Sequence, residues 1–278
     1  MFDDKKTIFA LATAPGKAGV AILRVSGSEA LSSVLQLTEG GLPKPRLATL
    51  RHLYHPETNQ IIDLALILTF PSPNSFTGED VVELHIHGSR AVIKILLKLL
   101  SNFNNFRLAS PGEFAKRSFL NGRMDLTAAE GLADLIEAET EMQQKQAIRQ
   151  AQGELGKLYD SWKKKLIHSL ALIEDYIHFP EDDIPATVID EVLDSVSFIK
   201  QSIANHLNDQ QRGEILRRGI YVTILGTPNV GKSSLLNYLT KRDVAIVSNI
   251  AGTTRDIIEV NRDLNGYLVT IAVTAGIR

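Results

Sequence analysis

Gly226, Gly231, Lys232 and Ser233 occupy the fixed positions of the run GTPNVGKS, which fits G-x-x-x-x-G-K-[ST] throughout. Each residue suits one task in holding a phosphate chain. The glycines let the backbone turn tightly, so that several N–H groups converge on an anion. Lys232 has the reach for the β and γ phosphates, and the Ser233 hydroxyl is an oxygen ligand for Mg²⁺. A helix starting here would add the positive end of its dipole. Asn229, Val230 and Ser234 belong to the same stretch. A threonine about twenty residues beyond such a lysine can close over Mg²⁺ and a γ-phosphate as a switch. Thr254, in Ser248-Asn249-Ile250-Ala251-Gly252-Thr253-Thr254, is the candidate.

These residues need a strand before the loop and a helix after it. Residues 219–225 (GIYVTIL) read as a buried strand and 234–239 (SLLNYL) as a helix. Downstream, Asn265-Gly266 between two alternating runs predicts a hairpin with a type I′ turn. Strand, phosphate loop, helix, switch and antiparallel hairpin is the order of a small GTP-binding domain.

The rest of the chain has a different texture. Strands are expected over residues 7–13, 19–26, 61–70 and 81–87, each stopped by glycine or proline. Apolar residues Val92, Ile93, Leu96, Leu97 and Leu100 predict a helix over 89–100, with Ser89 as its N-cap. Strand alternation puts Glu83, His85 and His87 on one face. That face is either the polar side of a half-buried strand or part of a metal site, and no fourth ligand is evident. From Asp125 the spacing becomes helical, with Thr127 and Glu130 read as a capping box and a second helical run over 188–216. Between them the acidic stretch 179–185 reads as a solvated loop in preference to a metal site. The reading is thus a multidomain chain: an α+β domain over 1–121, an α-helical domain over 122–218, and a partial α/β phosphate-loop domain over 219–278.

Composition sets further bounds. Hydrophobic residues make up 44% and charged residues 22%, the balance of an ordinary globular chain. Net charge is −2, so no global basic field announces nucleic acid, although a local patch or a partner could supply one. There are no cysteines, which excludes disulfides and thiol catalysis. With no secretory signal at the start and no apolar run long enough to span a bilayer, a cytoplasmic protein without membrane contact is expected.

The motifs together resemble a known family. GTPNVGKSSLLNYL followed by IVSNIAGTTRD is similar to the tRNA-modification GTPases called MnmE or TrmE. So are three N-terminal runs: Ala14-Pro15-Gly16-Lys17-Ala18-Gly19-Val20-Ala21-Ile22-Leu23-Arg24, Pro73-Asn74-Ser75-Phe76-Thr77-Gly78-Glu79-Asp80, and Pro111-Gly112-Glu113-Phe114 continuing to Phe119-Leu120-Asn121-Gly122-Arg123. A different phosphate-loop protein, such as a ribosome-assembly GTPase, would not carry those three.

The resemblance implies an N-terminal domain that binds formyl-tetrahydrofolate and forms a homodimer, with folate contacts at Arg24, Glu83 and Arg123. A guanidinium pairs a glutamate carboxylate, and a carboxylate accepts from pterin N–H groups. Position 123 is often Lys in the family, so charge is kept and geometry differs. It implies GTP bound by Asn229, Val230, Gly231, Lys232, Ser233, Ser234, Ser248, Asn249, Ile250, Ala251, Gly252, Thr253, Thr254 and Gly276. Magnesium would take Ser233 and Thr254. Potassium would take Asn229, Ser248, the Ile250 carbonyl and Thr253, all oxygen donors. It further implies a flavoprotein partner, MnmG or GidA. With that partner a carboxymethylaminomethyl-type group is added to the wobble uridine of certain tRNAs.

One departure stands out. Where the family has Asp-Thr-Ala-Gly, this chain has Val273-Thr274-Ala275-Gly276. The aspartate holds a magnesium-bound water, which valine cannot do. The sequence then stops at Arg278, before the family's catalytic Glu, its guanine-reading Asn-Lys-x-Asp and its Cys-containing C-terminal motif. A chain truncated within its nucleotide domain is therefore expected to lack GTP turnover. Its residues 219–278 are expected to be poorly stable alone, with an exposed apolar edge. The alternative function is a folate-binding dimer with an inactive nucleotide loop.

Overall fold

The computed structural model describes residues 5–178, 187–208, 212–227, 230–240 and 258–273. They divide into two compact units, Met1–Asp125 and Leu126–Arg278.

The first unit is built on strands β1 (Thr7–Leu11), β2 (Ala18–Ser26), β3 (Thr49–Tyr54), β4 (Ile61–Phe70), β5 (Val81–Gly88) and β6 (Phe106–Leu108), with helices α1 (Ala30–Leu37), α2 (Arg90–Asn102) and α3 (Glu113–Leu120). The strands form one sheet in the order β3-β4-β5-β2-β1-β6. All pairs are antiparallel except β1 with β6. Alternation gives the sheet two chemically distinct faces. Leu23, Val25, Ala65, Ile67, Val82 and Leu84 point to one face and are fully buried among Val34, Leu37, Leu96 and Leu100 of α1 and α2. Arg24 and Glu83, cross-strand partners on β2 and β5, point to the other face. Ser89 precedes α2 as expected, but its side chain makes no capping bond.

The second unit begins with α4 (Leu126–Glu137), α5 (Glu141–Ala151), α6 (Glu154–His178), α7 (Thr187–Leu207) and α8 (Arg212–Arg218). With no proline to interrupt it, α6 runs for 25 residues. It pairs with α7, where Trp162 Nε1 donates to Ser202 Oγ at 3.0 Å. Thr127, read as the N-cap of a capping box, lies inside α4, which begins at Leu126. The box forms instead at Thr140 and Gln143 on α5, with both reciprocal bonds present.

The same unit holds β7 (Ile220–Ile224), α9 (Lys232–Thr240), β8 (Ile258–Leu264) and β9 (Tyr267–Val273), with strand order β7-β9-β8. The predicted hairpin is present. Asn265 and Gly266 have φ of 54° and 90°, the two positive values that a type I′ turn demands. Leu236 of α9 packs with Val269, Ile271 and Val273. Strand β7, expected to be buried, is an edge strand here: Tyr221 is 59% and Val222 42% exposed. The stretch 179–185 lies outside the described residues. Among the described residues no helix is long and apolar enough to cross a membrane.

Candidate functional sites

On the open face of the first sheet, Arg24 and Glu83 form an ion pair. Arg24 Nη2 lies 2.8 Å and Nε 3.0 Å from Glu83 Oε1. The other carboxylate oxygen, Oε2, is 3.3 Å from His85 Nε2. The guanidinium also sits by two aromatic rings, 5.4 Å from the Phe76 centroid and 5.8 Å from that of Phe114. A cation over a ring gains roughly 0.5–2 kcal/mol depending on desolvation. Arg24 is thus oriented from both sides while its side chain keeps some exposure. His87, expected on the same face, turns to Asp63 instead, with Nδ1 2.6 Å from Oδ1. No cluster of three or more His, Cys, Asp or Glu side chains that could hold a metal occurs among the described residues.

Phe76 is carried by the loop between β4 and β5, and partly buried polar contacts fix that loop. Ser118 Oγ donates to Phe76 O at 2.7 Å, and Asn121 Nδ2 to Thr77 O at 2.7 Å. Arg117 Nη1 binds both Glu79 oxygens, at 3.1 and 3.0 Å, and its Nη2 donates to Lys6 O. Arg117 also pairs with Glu113, which Arg107 holds through two bonds of 2.8 and 2.5 Å. The hydrogen bond from Arg107, helped by the Ser110 N–H and the charges of Arg107 and Arg117, holds the Glu113 carboxyl at about 2 against the opposing effect of burial. Arg123 follows on the same segment. Its N–H donates to Ser118 O, and its side chain is packed so close to Gly78 that a Cβ there would lie 3.2 Å from Arg123 Cγ. The positive φ of Gly78, 79°, also favours glycine.

The three N-terminal motifs therefore meet on one patch: Arg24 and Glu83 paired, Phe76 and Phe114 beside them, and Arg123 against the loop that carries Phe76. The family resemblance singled out Arg24, Glu83 and Arg123 but not the two phenylalanines or the Arg107–Glu113–Arg117–Glu79 lattice. The signal was there: Phe76, Glu79, Glu113 and Phe114 all lie inside the quoted motifs.

At the phosphate loop, Gly231 precedes α9 with φ 97°. Lys232 opens the helix, and its Nζ donates to the loop's own carbonyls, Gly226 O at 3.0 Å and Thr227 O at 2.9 Å. A lysine parked on carbonyls can exchange them for phosphate oxygens without moving far. Val230 and Ser234 are exposed. Ser233 is in α9, and its side chain is outside the description, as are Asn229, Ser248, Asn249, Ile250, Ala251, Gly252, Thr253, Thr254 and Gly276. Val273 ends β9, 5% exposed and paired in register with Ile224 and Ile258. A cleft of about 860 Å³ beside the α4–α5 turn, lined in part by Asp134, Gln143 and Arg217, contains none of these expected site residues.

The first unit thus carries a charged, aromatic-flanked patch on an α+β sheet, and the second a phosphate-loop sequence ahead of a helix. The profile described as "GTP-binding protein TrmE N-terminus" matches residues 7–123, and that described as "MnmE helical domain" matches residues 126–273. The chain belongs to this TrmE/MnmE family. It is 53% identical over 274 residues to the tRNA modification GTPase MnmE of Rickettsia typhi and 54% identical over 274 residues to that of Rickettsia rickettsii. Each alignment covers 98% of this chain and 61% of the relative. The chain thus spans about three fifths of the length of these curated relatives.

Proposed function

We propose that the first unit binds a reduced folate, formyl-tetrahydrofolate, through Arg24, Glu83 and Arg123, and that the second holds GTP on Gly226–Ser233. The observation carrying this reading is the convergence of three separated motifs on the Arg24–Glu83 patch. Arg24 offers a guanidinium edge to a carboxylate, and Glu83 offers acceptors to pterin N–H groups. Lys232, released from Gly226 O and Thr227 O, would pair with β and γ phosphates. Magnesium on Ser233 and Thr254 would neutralise phosphate charge. Potassium on Asn229, Ser248, Ile250 and Thr253 would do the same beside the phosphates.

In this reading residues 1–121 form the folate-binding and dimerising domain, 122–218 a helical domain and 219–278 the nucleotide-binding part of a homodimeric cytoplasmic protein. Acting with a flavoprotein partner of the MnmG (GidA) kind, it would add a carboxymethylaminomethyl-type group to the wobble uridine of certain tRNAs.

Val273 favours a second reading, a folate-binding dimer whose loop binds nucleotide without turning it over. The buried valine offers no oxygen to a magnesium-bound water. Phosphate release from GTP by residues 1–278, in potassium against sodium buffer, separates the two. Potassium-stimulated release supports the GTPase. Nucleotide binding with no release in either buffer supports the silent loop.

A further inference from the structure

Helix α2 carries a feature that neither ligand reading uses. Its sequence, RAVIKILLKLLSN, has three cations one turn apart, Arg90, Lys94 and Lys98, and no acid. Four residues of helix rise about 6 Å, so these groups form a stripe along one side. Beside that stripe a groove of about 340 Å³ runs between α2 and the turn after β1, lined by Leu11, Pro15, Arg90, Ile93, Lys94 and Leu97, with Gly16. The floor is carbon, and the rim is two exposed cations with no acidic side chain in the lining. Neither cation has an ion pair among the described residues.

An apolar trough with an unpaired cationic rim asks for an occupant with the opposite pattern. We infer that this groove docks a protein segment in which one or two large apolar side chains are flanked by aspartate or glutamate. The apolar side chains would fill the trough, and the acids would pair with Arg90 and Lys94. Such apolar anchors with charged flanks are a general mode of peptide recognition. RNA fits less well. Phosphates would meet the rim but leave the floor empty, and the lining holds no aromatic ring on which a base could stack. A second copy would have to bring acids from another part of its surface, since the groove lining itself holds none.

The test is selection of random 12-residue peptides displayed on phage against residues 1–278. The best peptides are then titrated by fluorescence anisotropy. The expected pool is enriched in acids around Leu, Ile, Phe or Trp. Arg90→Glu with Lys94→Glu should weaken its best member at least tenfold. Lys98→Glu, one turn outside the lining, should weaken it less. The positions are exposed, and an unchanged melt certifies the fold; Arg90→Gln with Lys94→Gln serves if the charge reversal unfolds the chain. No enriched pool, a pool without acids, or equal binding by the double variant overturns the proposal. So does a 12-nucleotide RNA that displaces the best peptide, or a homodimer that the Arg90→Glu and Lys94→Glu double variant dissociates in sedimentation equilibrium.

Discussion

The two sheets of this chain treat their charges and apolar strands in opposite ways. In the six-stranded sheet the central strands are covered on one face by α1 and α2, and Leu23, Leu84 and Ile67 are fully buried. Its buried ions are partnered, as in the lattice from Arg107 through Glu113 and Arg117 to Glu79. In the three-stranded sheet, β7 exposes Ile220, Tyr221 and Val222. There Arg262 is 3% exposed, yet its guanidinium nitrogens have no hydrogen-bond partner among the described residues. A site on the first sheet is pre-shaped before any ligand arrives. The phosphate loop follows a strand that is exposed among the described residues, and Lys232 donates to the loop's own carbonyls.

The contrast can be broken most severely at the ion lattice. Arg117→Met should destabilise the first unit by about 3–5 kcal/mol, because Glu79 and Glu113 lose a buried partner. Denaturant unfolding reads the loss. The lattice also fixes a pH dependence. The folded Glu113 carboxyl lies at about 2, below its ordinary 4.5. Its contribution is therefore full above the ordinary value and lost as pH falls from about 4.5 through about 2. An acid titration that leaves the first unit's stability flat across that window contradicts this.

A matched pair of truncations sharpens the comparison. Leu84→Ala, in the covered core, should cost about 2–5 kcal/mol. Val222→Ala, on exposed β7, should stay within about 0.5 kcal/mol. Equal losses would mean that β7 is covered in solution. At Arg262 the sign reverses. Arg262→Leu removes a buried cation with no partner and should stabilise the second unit by roughly 1–3 kcal/mol, seen as a raised melting midpoint. Destabilisation would show that the guanidinium finds a partner.

These differences bear on what could be read in advance. Strands β2, β4 and β5, helix α2 and the type I′ hairpin were legible because their signals are local: alternation, helical spacing, Asn-Gly. Helices α1 and α3 and the short strands β3 and β6 were missed, since eight residues or fewer show too little period against mixed polarity. The box at Thr127 was misplaced by a competing start at Leu126, while Thr140 and Gln143 carried a true one. The apolar run of β7 looked buried because hydrophobicity records what a strand needs, not what covers it. At the Arg24–Glu83 patch the charged members followed from the family resemblance. The pairing of Phe76 with Arg24 was not, because it depends on a loop held by residues some forty positions away in sequence, such as Ser118 and Asn121.

The proposed function depends above all on the Arg24–Glu83 patch binding a folate. Calorimetric titration of formyl-tetrahydrofolate into residues 1–278, and into Arg24→Ala, tests it directly. Saturable binding that weakens at least tenfold in the variant, with an unchanged melt, is the predicted result. Absence of binding to the unaltered chain, or equal binding by Arg24→Ala, would contradict it.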